Sequence, residues 1–147
     1  MPNAERRPRR RPGENRERLL QAGISAFGLY GYQGASTSDI AARAGVPQPH
    51  VYTNFRTKQE LFLACVSRAA ELLGEAGPDG DGDGDEQAAR LMLQAVAALG
   101  TEGSLGGELG ERLTALRASI GEQAFESLLL RGARGLLPAV PAPSGRR

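Results

Sequence analysis

Thr37-Ser38-Asp39-Ile40-Ala41-Ala42-Arg43-Ala44-Gly45-Val46-Pro47-Gln48-Pro49-His50-Val51-Tyr52 is the stretch on which the rest of this chain turns. Ser36 or Thr37 can cap a helix, and Asp39 follows Ser36 at capping-box spacing. Ile40, Ala41 and Ala44 form its apolar side, and Gly45 can take a left-handed turn at little cost. Pro47 and Pro49 suit the entry to a second helix, where a missing N–H costs nothing; Val51, Tyr52 and Phe55 continue it. The pattern predicts two short helices joined by a tight turn, the arrangement that sets a helix end into a DNA major groove. Gln48, Pro49 and His50 then stand at the N-terminal end of the second helix, where base edges are met, with the Tyr52 hydroxyl about a turn on. A plain helical hairpin fits the spacing equally well.

Outward from this stretch the pattern stays helical. Upstream, Leu20, Ile24 and Phe27 recur at i, i+4 and i+7 beside Leu19, Ala22 and Ala26, and Gly31 and Gly34 bracket a break after Tyr30. Downstream, Thr57 and Glu60 repeat the capping-box spacing and open a long helix. Leu61, Cys65, Ala69 and Leu72 share one of its faces; Phe62, Val66 and Leu73 share the next. Pro78 ends it, and the alternating run Asp79–Asp85 reads as a linker over 79–86. Three further helices are expected at about 86–99, 107–120 and 122–131, with a frayed tail over 132–147. Leu105, Leu109, Leu113 and Leu116, with Phe125, Leu128, Leu129 and Leu130, are candidates for a self-association face.

Composition narrows the function class. A hydrophobic content of 40% and a charged content of 24% are ordinary for a soluble chain. The apolar runs are too short to span a membrane, and no signal-peptide core follows the Arg-rich start, so a cytoplasmic location is expected. Cys65 is the single cysteine, and its place on an apolar helix face suits a buried structural thiol. Residues 1–60 carry ten Arg/Lys against five Asp/Glu, a balance of +5; residues 61–147 carry eight against twelve, a balance of −4. A basic front and an acidic back suggest that only the front meets a polyanion. Arg6, Arg7, Arg9, Arg10 and Arg11, set among prolines, form an expected flexible arm over 1–14, either solubilising or following phosphates and a minor groove.

Catalytic and metal chemistry find no footing. His50 is the lone histidine, and no nucleophile elbow, Gly-rich phosphate loop or CxxC pair is present. The aspartate run imitates a calcium loop, but counting from Asp79 the twelfth position is Arg90, where a bidentate glutamate is needed. No catalytic residue, metal ligand or cofactor is expected.

Residues 15–66, about a third of the chain, resemble the TetR family of bacterial transcriptional regulators. The matching pieces run in family order: Ala26-Phe27 and Gly31-Tyr32, then Thr37–Ala41, Ala44-Gly45-Val46, Val51–Phe55 and Lys58–Leu61. The resemblance implies an all-α fold: a three-helix DNA-binding unit over 15–60, joined by a long helix to a shortened effector-binding and dimerisation region over 61–131. It also implies residue roles. Thr37 and Ser38 match phosphate contacts at a helix N-terminus, Gln48 and His50 match base-reading positions, the Gln48-Pro49 pair resembles a recognition-helix start, and Tyr52, Asn54 and Lys58 match phosphate or groove-wall contacts. Gln48 has the chemistry to pair with adenine in bidentate fashion. The implied partners are a pseudo-palindromic duplex operator, a second copy of the chain and a small apolar or amphipathic effector. The implied activity is repression released by that effector. A truncated relative without effector control, or a helical protein–protein interaction module, are the alternatives.

Overall fold

The computed structural model describes residues 11, 13–77, 80 and 82–137. Among them every regular element is an α-helix: α1 (Glu14–Gly34), α2 (Thr37–Ala44), α3 (Gln48–Asn54), α4 (Lys58–Ala76), α5 (Asp83–Thr101), α6 (Gly106–Ile120) and α7 (Glu122–Leu136). The apolar stripe of α1 is the organising surface. Leu19, Leu20, Ile24, Ala26 and Phe27 are all buried, and α1 packs along α2, α4 and α5. The Phe27 ring meets Phe62 of α4 edge-on, with centroids 5.0 Å apart, and Tyr32 lies 5.1 Å from the same Phe62 ring. Side chains of this size each contribute roughly 1.5–3 kcal/mol through burial.

The long α4 runs from the end that holds α2 and α3 into the back half, burying Leu61, Phe62, Cys65, Val66, Ala69 and Leu73. There α5 packs against α1, α4 and α7, with Leu91, Met92 and Ala95 wholly enclosed. Small residues set the closest approach: α7 presents Gly132 to the backbone of Ala89 in α5. Polar ties join the two halves at their margin. Gln59 Nε2 donates to the Ser104 carbonyl at 3.0 Å, and Gln33 Nε2 donates to Glu102 Oε1 at 2.5 Å. Arg112 of α6 reaches α4, donating to the Leu63 carbonyl at 3.3 Å and to the Ser67 hydroxyl.

Three sequence expectations need correction. The acidic linker ends sooner than residue 86, because α5 begins at Asp83. Asp83, Asp85 and Glu86 fill its first turn, where carboxylates complement the positive end of the helix dipole, and Asp85 Oδ2 accepts from the Gly82 N–H at 3.4 Å. At the other end α7 continues to Leu136, so 132–136 are helical, held by Gly132 in its seam with α5. Finally, Leu105, Leu109, Leu113 and Leu116 do not form an exposed association face. They are 0%, 0%, 4% and 7% exposed and belong to this chain's own core, as does Leu128. Of that set Phe125 and Leu129 are half-buried and Leu130 is open, at 59%. Residues 1–10 and 12 of the arm, Pro78, Asp79, Asp81 and the tail beyond residue 137 lie outside the described residues.

Candidate nucleic-acid interface

The α2–α3 end is built from backbone rules that its residues enforce. Ser36 caps α2, its hydroxyl accepting from the Asp39 N–H at 3.0 Å. Gly45 ends the helix at φ 66°, and the Val46 N–H reaches back to the Ala41 carbonyl at 3.0 Å. Pro47 then leads into α3, with Pro49 in its first turn. Val51 and the following Phe55 are each 1% exposed, which pins α3 to the core by one side and turns the other outward. Gln48, Pro49, His50 and Tyr52 occupy that outer side and are exposed.

Contacts among the expected site residues are partial. Thr37, at the start of α2, lies beside Tyr52 of α3, with 3.3 Å between their hydroxyl oxygens. Two hydroxyls at a helix N-terminus offer hydrogen bonds of the kind a phosphate oxygen accepts. Ser38 is exposed next to them. Asn54 is half-buried, and its Nδ2 donates to the His50 carbonyl at 2.8 Å, so this side chain braces α3 as well as lining it. Lys58 stands apart from this group, in the first turn of α4. Its ammonium lies 4.8 Å from the Tyr32 ring centroid, and partial burial lowers its pKa against the opposing pull of Glu102. The second capping box is only half formed. Thr57 Oγ1 accepts from the Glu60 N–H at 3.0 Å, while the Glu60 carboxylate accepts from the Arg56 N–H at 3.1 Å.

The sequence reading missed the first turn of α1. Asn15 Nδ2 lies 3.5 Å from His50 Nδ1. The Arg16 guanidinium sits 4.5 Å from the Phe55 ring centroid and donates to the Asn54 carbonyl at 3.4 Å. Polar residues opening a helix carry no periodic signal, and what they face becomes known only once α1 crosses α3. Arg43 was also passed over; it stacks on Tyr30 at 5.4 Å and donates to the Tyr30 hydroxyl at 3.2 Å.

The same stretch of sequence matches known proteins. The family model described as bacterial regulatory proteins, tetR family, matches residues 19–65, spanning most of α1, all of α2 and α3, and the start of α4. Over these residues the chain is similar to the TetR-family unit. Among curated relatives, the HTH-type transcriptional activator FasR of Mycolicibacterium smegmatis is 38% identical over 82 residues, covering 48% of this chain and 37% of FasR. YezE of Bacillus subtilis, named an uncharacterised HTH-type transcriptional regulator, is 36% identical over 53 residues, 36% of this chain and 27% of its own. The matched stretch thus spans little more than a third of the first and about a quarter of the second. A crystal structure described as a TetR-family transcriptional regulator from Mesorhizobium loti shares the fold across both halves, with a TM-score of 0.53 at 23% identity, covering 84% of this chain and 72% of that one. These relatives are named as transcription regulators. Among the described residues no helix is long and apolar enough to cross a membrane, and no three metal-ligating side chains gather in one place.

Proposed function

We propose that this chain is a sequence-specific DNA-binding regulator of transcription that represses its target until a small effector releases it. The observation that carries this reading is the outer side of α3. Gln48, Pro49, His50 and Tyr52 are exposed together while Val51 and Phe55 anchor the same two turns in the core. Gln48 and His50 read base edges, Pro49 shapes the helix entry between them, and Thr37, Ser38, Tyr52, Asn54 and Lys58 hold the flanking phosphates. Residues 15–60 form the reading unit and 61–131 the effector-binding and pairing region.

Two copies related by a two-fold axis present their α3 helices to a pseudo-palindromic operator, with half-sites roughly one helical turn (~10 bp) or more apart. The effector is apolar or amphipathic. A cleft of about 700 Å³ at the end of the bundle away from α3, lined by Leu73, Ile120, Leu128, Gln123, Ser127 and Arg131, has the mixed surface to receive it.

The test is selection of bound duplexes from a random pool, with the complex sized by light scattering. A palindromic consensus bound by two chains supports the reading and supplies the operator for an effector screen. Failure to enrich any sequence overturns it. An operator complex that no small apolar molecule dissociates would keep DNA binding and remove the effector.

A further inference from the structure

We propose that Asn15 fixes the tautomer of His50 and so makes His50 a hydrogen-bond donor toward the base it meets. Asn15 is a positioning residue for base choice; the inference deepens the DNA-reading function above and rests on it. The Asn15 amide nitrogen lies 3.5 Å from His50 Nδ1. An amide nitrogen only donates, so the ring nitrogen facing it must accept. A neutral imidazole carries one N–H, and with Nδ1 accepting, the proton resides on Nε2. Nε2 is the outer tip of the ring, and His50 is exposed on the outer side of α3.

Two further contacts steady the backbone that carries the ring. Asn54 donates to the His50 carbonyl at 2.8 Å, which steadies the backbone that carries the imidazole. Arg16, next in sequence to Asn15, lies over the Phe55 ring and donates to the Asn54 carbonyl, which keeps the first turn of α1 seated on α3. Asn15 itself then addresses the inner ring nitrogen. An Nε2–H donor at the tip favours a base whose major-groove edge offers acceptors. Guanine presents N7 and O6 with no donor between them, whereas the cytosine N4 amine opposes a donor. Guanine is therefore the base expected opposite His50.

Because His50 is the only histidine in the chain, its ring can be read without interference. Nitrogen-15 NMR of the free protein at about pH 8, above the ordinary titration range of imidazole, reports the tautomer directly. Wild type should show a larger share of the Nε2–H form than Asn15→Ala, which should show the mixed population of free histidine. Asn15→Asp should switch to Nδ1–H, because a carboxylate only accepts. An acidic residue in the first turn of a helix is favourable, so Asn15→Asp should keep the fold. Selection from the random pool then reads the consequence. Asn15→Ala should weaken guanine discrimination at one half-site position on the order of 2–10-fold, the scale of a single hydrogen bond. Asn15→Asp should move that position toward adenine or cytosine, which present donors, and leave the Gln48 position unchanged.

Equal tautomer populations in all three proteins would overturn the proposal, as would an unchanged base preference in Asn15→Asp. If the tautomer responds but no variant enriches any duplex, the DNA-reading function itself fails, and base choice fails with it.

Discussion

Replacing Gly132 with alanine tests the packing of the back half at its tightest point. A methyl group there would lie 2.9 Å from the Ala89 carbonyl carbon and 3.2 Å from the Arg90 nitrogen, with the Ala89 carbonyl oxygen closer still. These are backbone atoms in the body of α5, so no side-chain rotation makes room; α5 and α7 must separate. Overpacking costs about 1–3 kcal/mol in general, and contact with rigid backbone places this case at the upper end. Alanine returns up to about 1 kcal/mol over glycine within a helix. The net expectation is a loss of about 2 kcal/mol. Gly110→Ala is the control, because its new methyl group would touch only Leu99 Cδ2, at an ordinary 3.8 Å. Helix preference then acts alone, and a gain of about 0.5–1 kcal/mol is expected. Urea unfolding followed by circular dichroism should lower the midpoint for Gly132→Ala and raise it for Gly110→Ala, with the slope unchanged. A Gly132→Ala protein as stable as wild type would refute the described seam between α5 and α7.

Gln48→Ala should relax base preference by about 1–3 kcal/mol at one operator position while Tyr52→Phe weakens all sequences alike; competition binding on single-base operator variants separates the two. Lys58 gives a pH test. Burial lowers its pKa, a bound phosphate favours the ammonium, and binding therefore takes up a proton. Its contribution to affinity is complete below the pKa of the free protein and is lost as pH rises past that value. As pH rises toward the ordinary lysine value, wild type should lose duplex affinity more steeply than Lys58→Gln, measured by fluorescence anisotropy. Burial also pushes the Cys65 thiol well above the ordinary range, so the native protein should resist thiol reagents and react fully once unfolded in urea. Rapid labelling of the folded chain would contradict its burial against the Leu20 carbonyl.

Local signals in the sequence carried much of the front half. Ser36 before Asp39, Gly45 after Ala44, and Pro47 with Pro49 each act within a few residues, and each does in the fold what its chemistry requires. The apolar stripes of α1 and α4 were equally plain, because period and burial coincide there. The back half was less legible for two reasons. The aspartates of 79–85 look like linker by composition, yet at a helix N-terminus acidic residues are assets, and nothing local marks Asp83 as the first of them inside α5. An apolar stripe also does not say which neighbour covers it. Leu105, Leu109, Leu113 and Leu116 could have met a second copy, and they meet this chain's own core. At the candidate interface the exposed row on α3 was visible as spacing. The support from Asn15 and Arg16 was not, since it depends on two elements crossing 35 and 38 residues apart in sequence.

The way α1 is shared has a bearing on engineering. Its first turn braces α3, while Gly28, farther along, lies against α5: Gln94 Nε2 donates to the Gly28 carbonyl at 3.2 Å, and a methyl group on Gly28 would stand 3.3 Å from the Gln87 carbonyl oxygen. The front unit is therefore not a cartridge. Cut out at Gly77 and grafted onto another body, it would carry a glycine-lined groove cut to the contour of an absent helix. A working chimera must import the matching face of α5 along with it, or have Gly28 and its flanks recut to suit the new host.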